Sequence, residues 1–162
     1  MTAMGRRVAH PARDERETAL WVLGELYIIR GRGQTYTLLE SATSPGGGLP
    51  PHINYPQDEA IYILAGEYTL VCGDEETRLG PGSFASVTKG TVHALKKAAG
   101  GGAGRFLALL TPPGALERFF EEVGVPVANG STSLAAPRNA PEMEEVVASA
   151  RRHGIYLLTR PV

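Results

Sequence analysis

The sequence predicts an all-β barrel followed by a helical C-terminal extension. Over most of the first two thirds of the 162 residues, short runs rich in Val, Ile, Leu, Tyr and Thr are punctuated by many of the 20 Gly and 12 Pro. This pattern is typical of β-sandwiches and barrels. Further along, the apolar residues recur with the period of a helix. The length indicates a single domain over residues 1–162, with the barrel over about 19–113 and the extension over about 114–162.

Eight strands are predicted from short apolar or alternating runs between turn residues. In the strand that begins at Glu59, alternation places Glu59, Ile61 and Ile63 on the inner face. Tyr62 and Leu64 then form an apolar outer face, which we expect a second copy of the chain to cover in a homodimer. The predicted strands are Ala19–Leu23, Glu25–Arg30, Thr35–Glu40, Glu59–Leu64, Glu67–Gly73, Ser83–Val87, His93–Lys97 and Arg105–Thr111.

Two amphipathic helices are predicted in the extension. Gly124 is placed to end the first, and the second begins after Pro141 and ends before Gly154. Both are expected to pack on the barrel or at a dimer interface. Their apolar residues are Leu116, Phe119, Phe120 and Val123 in the first helix, and Met143, Val146, Val147 and Ala150 in the second, which spans about Glu142–His153.

Two connections need an explanation. Ala98–Gly104 is rich in glycine and lies between two predicted strands, and no helix begins after it. A hairpin loop is therefore favoured over a phosphate-binding loop. Pro126–Pro137 is long, and long irregular segments in compact domains are often lids or binding loops. It is a candidate to cover the mouth of the barrel.

Composition argues against several classes of partner. Acidic and basic residues nearly cancel, with a net charge of −1, so we expect neither nucleic acid nor a membrane surface as a partner. Cys72 is the single cysteine and lies in an apolar run, which predicts a buried structural thiol and a reducing compartment. No signal-like or membrane-length apolar span is present. These observations predict a cytoplasmic protein.

Residues with metal-binding chemistry fall in two short segments. His52 and Asn54 are two apart and share one face of a strand, and Glu59 can join them after a bend at Pro56. With His93, two imidazoles and one carboxylate suit a divalent transition ion. An amide oxygen is a poorer donor for such ions, so Asn54 is predicted to be a weak or water-mediated ligand. A metal-free pocket, in which the same side chains hydrogen-bond a ligand, is the alternative.

Glu59 is also predicted to be a general base. Burial in an apolar barrel raises the pKa of a carboxylate, whereas a bound cation lowers it. We therefore expect Glu59 to be ionised when metal is bound and protonated when it is not. His10 and His153 have no partner at ligand spacing and are predicted to be surface residues.

The first segment resembles the first motif of the cupin superfamily. Within Pro50–Glu67, His52, Glu59 and Gly66 stand where that motif has its first His, its Glu and its Gly. Asn54 occupies the position of the motif's second His. The resemblance implies a double-stranded β-helix, the cupin or jelly-roll barrel, and thus agrees with the all-β prediction.

The second segment resembles the second cupin motif. Within Leu79–His93, Gly90 and His93 stand at the expected positions of the turn glycine and the last ligand, and Thr88 replaces the usual Pro. The order of the two motifs and their spacing make the resemblance specific for the fold.

The extension resembles that of small single-domain cupins related to bacterial quercetin 2,3-dioxygenases, on the segments Pro112–Phe120 and Ala150–Ile155. That resemblance implies that His52, Glu59 and His93 bind nickel, manganese, cobalt, iron or copper. It also implies that Glu59 takes the proton from a flavonol hydroxyl before oxygen opens the central ring and carbon monoxide leaves.

Two hypotheses of different class follow for the function. The first is an enzyme that holds a divalent transition metal, zinc included, and acts on a small aromatic or polyketide-like molecule, by oxygenase or by cyclase chemistry. The second is a metal-free small-molecule-binding protein or isomerase. A DNA-binding regulator is disfavoured because the barrel and its extension account for the chain.

Overall fold

The computed structural model describes residues 19–128 and 133–159, which form two antiparallel sheets and two helices. The all-β prediction is confirmed. The seven-stranded sheet has the order β11-β1-β2-β3-β10-β5-β8, and the five-stranded sheet has the order β12-β4-β9-β6-β7. The elements are β1 Ala19–Val22, β2 Glu25–Arg32, β3 Thr37–Thr43, β4 His52–Asn54, β5 Asp58–Ala65, β6 Tyr68–Cys72, β7 Glu75–Leu79, β8 Phe84–Val87, β9 Val92–Lys97, β10 Gly104–Thr111, α1 Leu116–Val123, β11 Val125–Val127, α2 Met143–Arg152 and β12 Ile155–Leu157.

Strand β5 shows how alternation builds the core. Ile61 and Ile63 are 4% and 0% exposed, whereas Tyr62 and Leu64 are 44% and 36% exposed. The predicted inner and outer faces are therefore correct. The inner residues join one apolar cluster that includes β-strand residues of both sheets and both helices. Alternation with a period of two places these apolar side chains in the core. Their burial is the main contribution to the stability of the fold.

The strand prediction missed β7. Its sequence Glu-Glu-Thr-Arg-Leu has four exposed residues and one buried residue, so it carries no apolar alternation. It forms because β6 offers its edge, with Leu79 opposite Tyr68. Strand β7 is therefore stabilised by its pairing with β6 and not by the intrinsic strand preference of its own residues.

The C-terminal extension contributes to both sheets. α1 buries the four apolar residues predicted for it, and α2 buries Val146 and Ala150 but leaves Met143 45% exposed, contrary to the prediction. β11 and β12, which were not predicted, pair with β1 and β4. The extension is thus not purely helical, since it adds an edge strand to each sheet. No helix in the described part of the chain is long and apolar enough to cross a membrane.

The first of the two connections differs from its sequence interpretation, and the second is described only in part. Ala98–Gly104 joins β9 of one sheet to β10 of the other, so it is a crossover and not a hairpin loop. Pro126–Pro137 begins within β11, and its residues 129–132 lie outside the described ranges. Its Leu134 carbonyl accepts a hydrogen bond from Trp21 Nε1 at 3.1 Å. None of its described residues lines the cavity that contains His52, Glu59 and His93.

Gly90 ties the two predicted motifs together. It has φ of 81°, a left-handed conformation that strains most side chains, and its N–H donates to the Asn54 carbonyl at 2.9 Å. The turn before β9 is thereby fixed to the end of β4. This contact helps to set His93 beside His52.

The structure defines the surroundings of Cys72 and His153. Cys72 is half-buried, not buried as predicted, and burial followed by the charge of Glu75 raises the pKa of its thiol. His153 is half-buried, and its Nε2 lies 2.5 Å from Glu122 Oε2, a side-chain contact that the prediction of a surface histidine did not include. His10 lies outside the described residues.

Candidate metal centre

Three side chains from three strands converge in the barrel. His52 on β4 lies directly opposite His93 on β9, and Glu59 comes from β5 of the other sheet. One ligand atom from each of these buried residues lies within 4.8 Å of the others, and the two ring centroids are 4.3 Å apart. The fold therefore brings together the three residues proposed from the sequence as metal ligands.

Backbone carbonyls orient both imidazoles in the same way. His52 Nδ1 is 3.0 Å from the Pro50 carbonyl, and His93 Nδ1 is 3.0 Å from the Thr91 carbonyl. Each Nδ1–H then donates to a carbonyl two residues earlier, which leaves Nε2 for a ligand. Metal-binding histidines are held by such outer hydrogen bonds.

The donor set fits a divalent metal ion. His52 Nε2 is buried and has no hydrogen-bond partner, and leaving such an atom unsatisfied costs about 1–3 kcal/mol. His93 Nε2 lies 2.5 Å from Glu59 Oε2. A cation bound by both nitrogens and the carboxylate would satisfy the unpaired atom, and two imidazoles with one carboxylate suit zinc, iron, nickel, manganese, cobalt or copper.

The imidazoles set the charge of Glu59. Burial raises the pKa of this carboxyl, but the hydrogen bond from His93 and the charges of His93 and His52 bring it below its usual value. Burial lowers the pKa of His93, yet its bond to Glu59 and the charge of Glu59 raise it overall. Both shifts favour an ionised Glu59 carboxylate beside a protonated His93 imidazole. The expectation that Glu59 needs a metal ion to stay ionised is wrong, because His93 already supplies the compensating charge.

Asn54 is engaged by Gln57. Its Oδ1 accepts from the Gln57 backbone N–H, and its Nδ2 donates to Gln57 Oε1, both at 3.1 Å. Asn54 is 1% exposed and does not line the cavity. It closes the turn between β4 and β5, which carries Glu59 to the centre. Its role as a weak or water-mediated ligand stays a prediction.

A buried polar cluster connects this turn to the extension. Gln57 Nε2 donates to the Pro112 carbonyl at 2.8 Å and to Glu117 Oε2 at 3.0 Å. Gln57 Oε1 accepts from the Leu116 N–H at 2.9 Å, and Glu117 Oε1 accepts from Thr37 Oγ1 at 2.7 Å. The sequence interpretation missed the cluster because these residues are far apart in the chain and share no motif.

His52, Glu59 and His93 line a mainly apolar cavity. The cavity has a volume of about 40 Å³, which is room for a few water molecules. Leu116 and Phe120 of α1 form part of its wall, so the extension helps to close the site. A larger ligand enters only if such side chains move.

Glu25 and Tyr27 of β2 also line the cavity. The Tyr27 hydroxyl donates to Glu25 Oε2, and Thr43 Oγ1 donates to Glu25 Oε1 at 2.8 Å. Burial raises the pKa of Glu25 to about 7, although both hydrogen bonds act in the opposite sense. This pair is not predicted from the sequence. The only pattern that could indicate it is a Glu and a Tyr two residues apart at the start of a strand.

Comparisons with known proteins identify the fold. Residues 39–110 match the family model of the cupin domain, and the two sheets form a cupin jelly roll. No curated protein is significantly similar in sequence.

Three solved structures illustrate the likeness. KdgF from Halomonas sp. is 18% identical, with a TM-score of 0.58 and coverage of 64% of this chain and 94% of that one. A predicted oxalate decarboxylase from Thermotoga maritima is 16% identical, with a TM-score of 0.55 and coverage of 62% and 97%. The polyketide cyclase RemF from Streptomyces resistomycificus is 20% identical, with a TM-score of 0.57 and coverage of 90% and 99%. At these identities the likeness shows the fold alone.

Proposed function

We propose that this protein is a metal-dependent cupin enzyme that acts on a small aromatic or polyketide-like molecule, with chemistry like that of quercetin 2,3-dioxygenases. The observation that carries the proposal is the buried cluster of His52, Glu59 and His93 in the wall of a mainly apolar cavity. A buried nitrogen without a partner and a carboxylate held ionised are features of a site built to bind a cation.

The side chains of the cluster have different roles in this proposal. His52 and His93 hold the ion through Nε2, while their Nδ1 atoms stay fixed on the Pro50 and Thr91 carbonyls. Glu59 is ionised and accepts the proton of an acidic substrate hydroxyl. A metal held by these residues would supply Lewis acidity and, in an oxygenase, the means to activate oxygen. The apolar wall keeps bulk water from the ionised substrate.

A cyclase is the second candidate. The structural likeness to the polyketide cyclase RemF extends over 90% of this chain, whereas KdgF covers 64%. The likeness therefore reaches into the extension that closes the cavity. In a cyclase, Glu59 would instead take a proton from a carbon next to a carbonyl group. The resulting enolate would add to a second carbonyl of the same substrate, and the oxygen of that carbonyl would take up the proton. Oxygen consumption separates the two candidates, because only the oxygenase consumes dioxygen.

The experiment is a screen of flavonols and linear polyphenolic ketones, followed by oxygen uptake and loss of substrate absorbance, with divalent metals added singly. On an active substrate, Glu59→Gln is expected to lower turnover by a factor on the order of 10² or more, as for a lost general base. Glu59→Asp is expected to lower it as well, because its carboxylate is withdrawn by one methylene. Wild-type turnover by Glu59→Gln would exclude Glu59 as the base.

The metal-free binding protein or isomerase is tested separately. Elemental analysis of protein purified without chelator, and again after incubation with each metal, is expected to find about one ion per chain if the cluster is a metal site. Protein that never retains metal, but still binds a screened compound, would support the metal-free alternative.

We also propose that the protein is a cytoplasmic homodimer. Tyr62 and Phe84 lie opposite each other on β5 and β8, are 44% and 65% exposed, and form an apolar outer surface with Leu64. Such surfaces are often covered in oligomers. Light scattering after size exclusion is expected to give twice the 17.2 kDa chain mass, and Phe84→Ser is expected to shift the protein towards the monomer. A wild-type monomer at micromolar concentration would contradict this proposal.

A further inference from the structure

Glu25 and Tyr27 form a polar pair in the cavity wall, apart from the metal centre. They are two apart on β2, so their side chains share the inner face of the sheet. They are 2% and 5% exposed, and both line the cavity. The hydroxyl groups that hold the Glu25 oxygens belong to Tyr27 and Thr43, and Thr43 accepts from the Tyr68 hydroxyl at 3.2 Å.

The Glu25 carboxyl is costly as a purely structural group. Its two oxygens are held by neutral hydroxyls, and a buried carboxylate without a cationic partner is disfavoured relative to its protonated form. When the carboxyl is protonated, it can donate its proton to the Tyr27 oxygen. The phenol proton of Tyr27 is then free to point into the cavity, where it can meet a ligand.

Tyr27 is suited to donate a hydrogen bond. Burial, then the charge and hydrogen bond of Glu25, and then the charge of Glu59 raise the pKa of the phenol well above its usual value. The phenol therefore keeps its proton at neutral pH. It can bind a carbonyl or hydroxyl oxygen of a ligand as a neutral donor.

The pair and the metal ligand Glu59 face the cavity from different strands of the same sheet. Two strands, β3 and β10, lie between β2 and β5, which carries Glu59. The intervening wall of the cavity is apolar, with Leu39 from β3 and Phe106 and Ala108 from β10. Polar groups thus enter the cavity wall from β2 and from β5, and the two strands between them contribute apolar side chains.

We propose that Tyr27, backed by Glu25, is a second polar subsite that donates a hydrogen bond to one oxygen of a ligand whose other oxygens bind at the metal centre. This inference rests on the proposed function for the metal centre. It narrows the substrate to a largely apolar molecule with oxygen atoms at two positions, one for the metal centre and one for Tyr27. Phe120 stacks on Tyr27 with ring centroids 4.0 Å apart, which holds the phenol ring in place, and both side chains line the cavity.

The test compares two probes that share metal-binding chemistry but differ in length. Catechol carries two adjacent oxygens on a single ring, whereas 3-hydroxyflavone carries an adjacent hydroxyl and carbonyl on a three-ring scaffold. Binding of each probe to the metal-loaded and the metal-free protein is measured by calorimetry or fluorescence. Tyr27→Phe removes one hydroxyl group, and Tyr68→Phe is the matched control, since Tyr68 belongs to the same hydrogen-bonded chain but does not line the cavity.

Tyr27→Phe is expected to weaken 3-hydroxyflavone binding by about tenfold, the effect of one lost buried hydrogen bond. Catechol binding and metal affinity are expected to stay within about twofold of wild type in the same variant, and Tyr68→Phe should behave as wild type with both probes. Melting temperatures of all variants establish that each is folded.

Two outcomes would overturn the inference. The first is an equal change for both probes in Tyr27→Phe, which would place the effect at the metal centre. The second is no change for 3-hydroxyflavone, or no binding of it to the wild type. Failure of the proposed function has a different signature: no metal is retained and catechol does not bind, whereas any binding of 3-hydroxyflavone still weakens in Tyr27→Phe.

Discussion

Glu59 and Glu25 face the same cavity and are almost equally buried, at 6% and 2% exposed, yet their pKa values move in opposite directions. Burial raises the pKa of both carboxyls. Around Glu59, the hydrogen bond and charge of His93 and the charge of His52 reverse that effect. Around Glu25, two neutral hydroxyls reduce it without reversing it, and its pKa rises to about 7.

Burial alone therefore does not set the charge state of a carboxyl in this barrel. The charge of its hydrogen-bond partner determines whether the pKa rises or falls. One carboxyl in the cavity is an anion ready for a cation, and the other is close to neutral. A cavity with two carboxyls in different charge states can accept a proton at one place and donate a hydrogen bond at another.

The largest expected effect comes from removing the cationic partner of Glu59. His93→Ala deletes one metal ligand and the group that keeps Glu59 ionised, so metal affinity is expected to fall by at least about 100-fold. Titration calorimetry with zinc and nickel measures the loss. His153→Ala is the control, because that histidine pairs with Glu122 outside the cavity. Equal metal affinity in the wild type and both variants would exclude the centre.

The next effect concerns the pH dependence that Glu25 imparts to stability. A carboxyl with a raised pKa binds its proton more tightly in the folded than in the unfolded chain. The resulting stability is complete below the unfolded value of 4.5 and is lost as the pH rises through about 7. That rise in pKa corresponds to about 3 kcal/mol. Glu25→Gln is therefore expected to remove a decrease of that order in the free energy of unfolding between about pH 5 and about pH 8.

Urea denaturation at several pH values measures this slope as the difference between wild type and variant. Glu117→Gln is the matched control. Glu117 is also fully buried, but its hydrogen bonds from Gln57, Thr37 and backbone N–H groups outweigh burial and lower its pKa. Its contribution is lost as the pH falls through the lowered value, so the slope above about pH 5 should be unchanged. The same slope in wild type and Glu25→Gln would contradict the assignment.

The smallest of these effects concerns Asn54, which lies beside the metal centre without lining the cavity. Asn54→Ala deletes both hydrogen bonds to Gln57 and leaves the Gln57 N–H buried without a partner. A loss of about 2 kcal/mol in the free energy of unfolding is expected, with at most a several-fold loss of metal affinity. Asn139→Ala, at an exposed turn, should leave both unchanged. A loss of metal affinity as large as that of His93→Ala would make Asn54 a full ligand.

Patterns that are local in the chain were predicted best. The inner and outer faces of β5 and the buried stripe of α1 follow from periods of two and about 3.6, and both are confirmed. β7 and β12 could not be predicted from their composition, because each forms a strand by pairing with a neighbouring strand, β6 and β4 respectively. The crossover at Ala98–Gly104 was misassigned for a related reason, since a glycine-rich loop does not specify which sheet the next strand joins.

Alternation and turn residues along the chain are enough to predict the class of fold. The resemblance of two segments to the cupin motifs is what predicts that His52, Glu59 and His93, which lie on three different strands, meet at one centre. Three features follow from the tertiary structure alone, namely the charge of Glu59, the hydrogen bonds of Asn54 to Gln57, and the presence of Glu25 and Tyr27 in the same cavity. Those depend on which strands and helices become neighbours, and a pKa or a hydrogen-bond partner is fixed by neighbours across the fold and not along the chain.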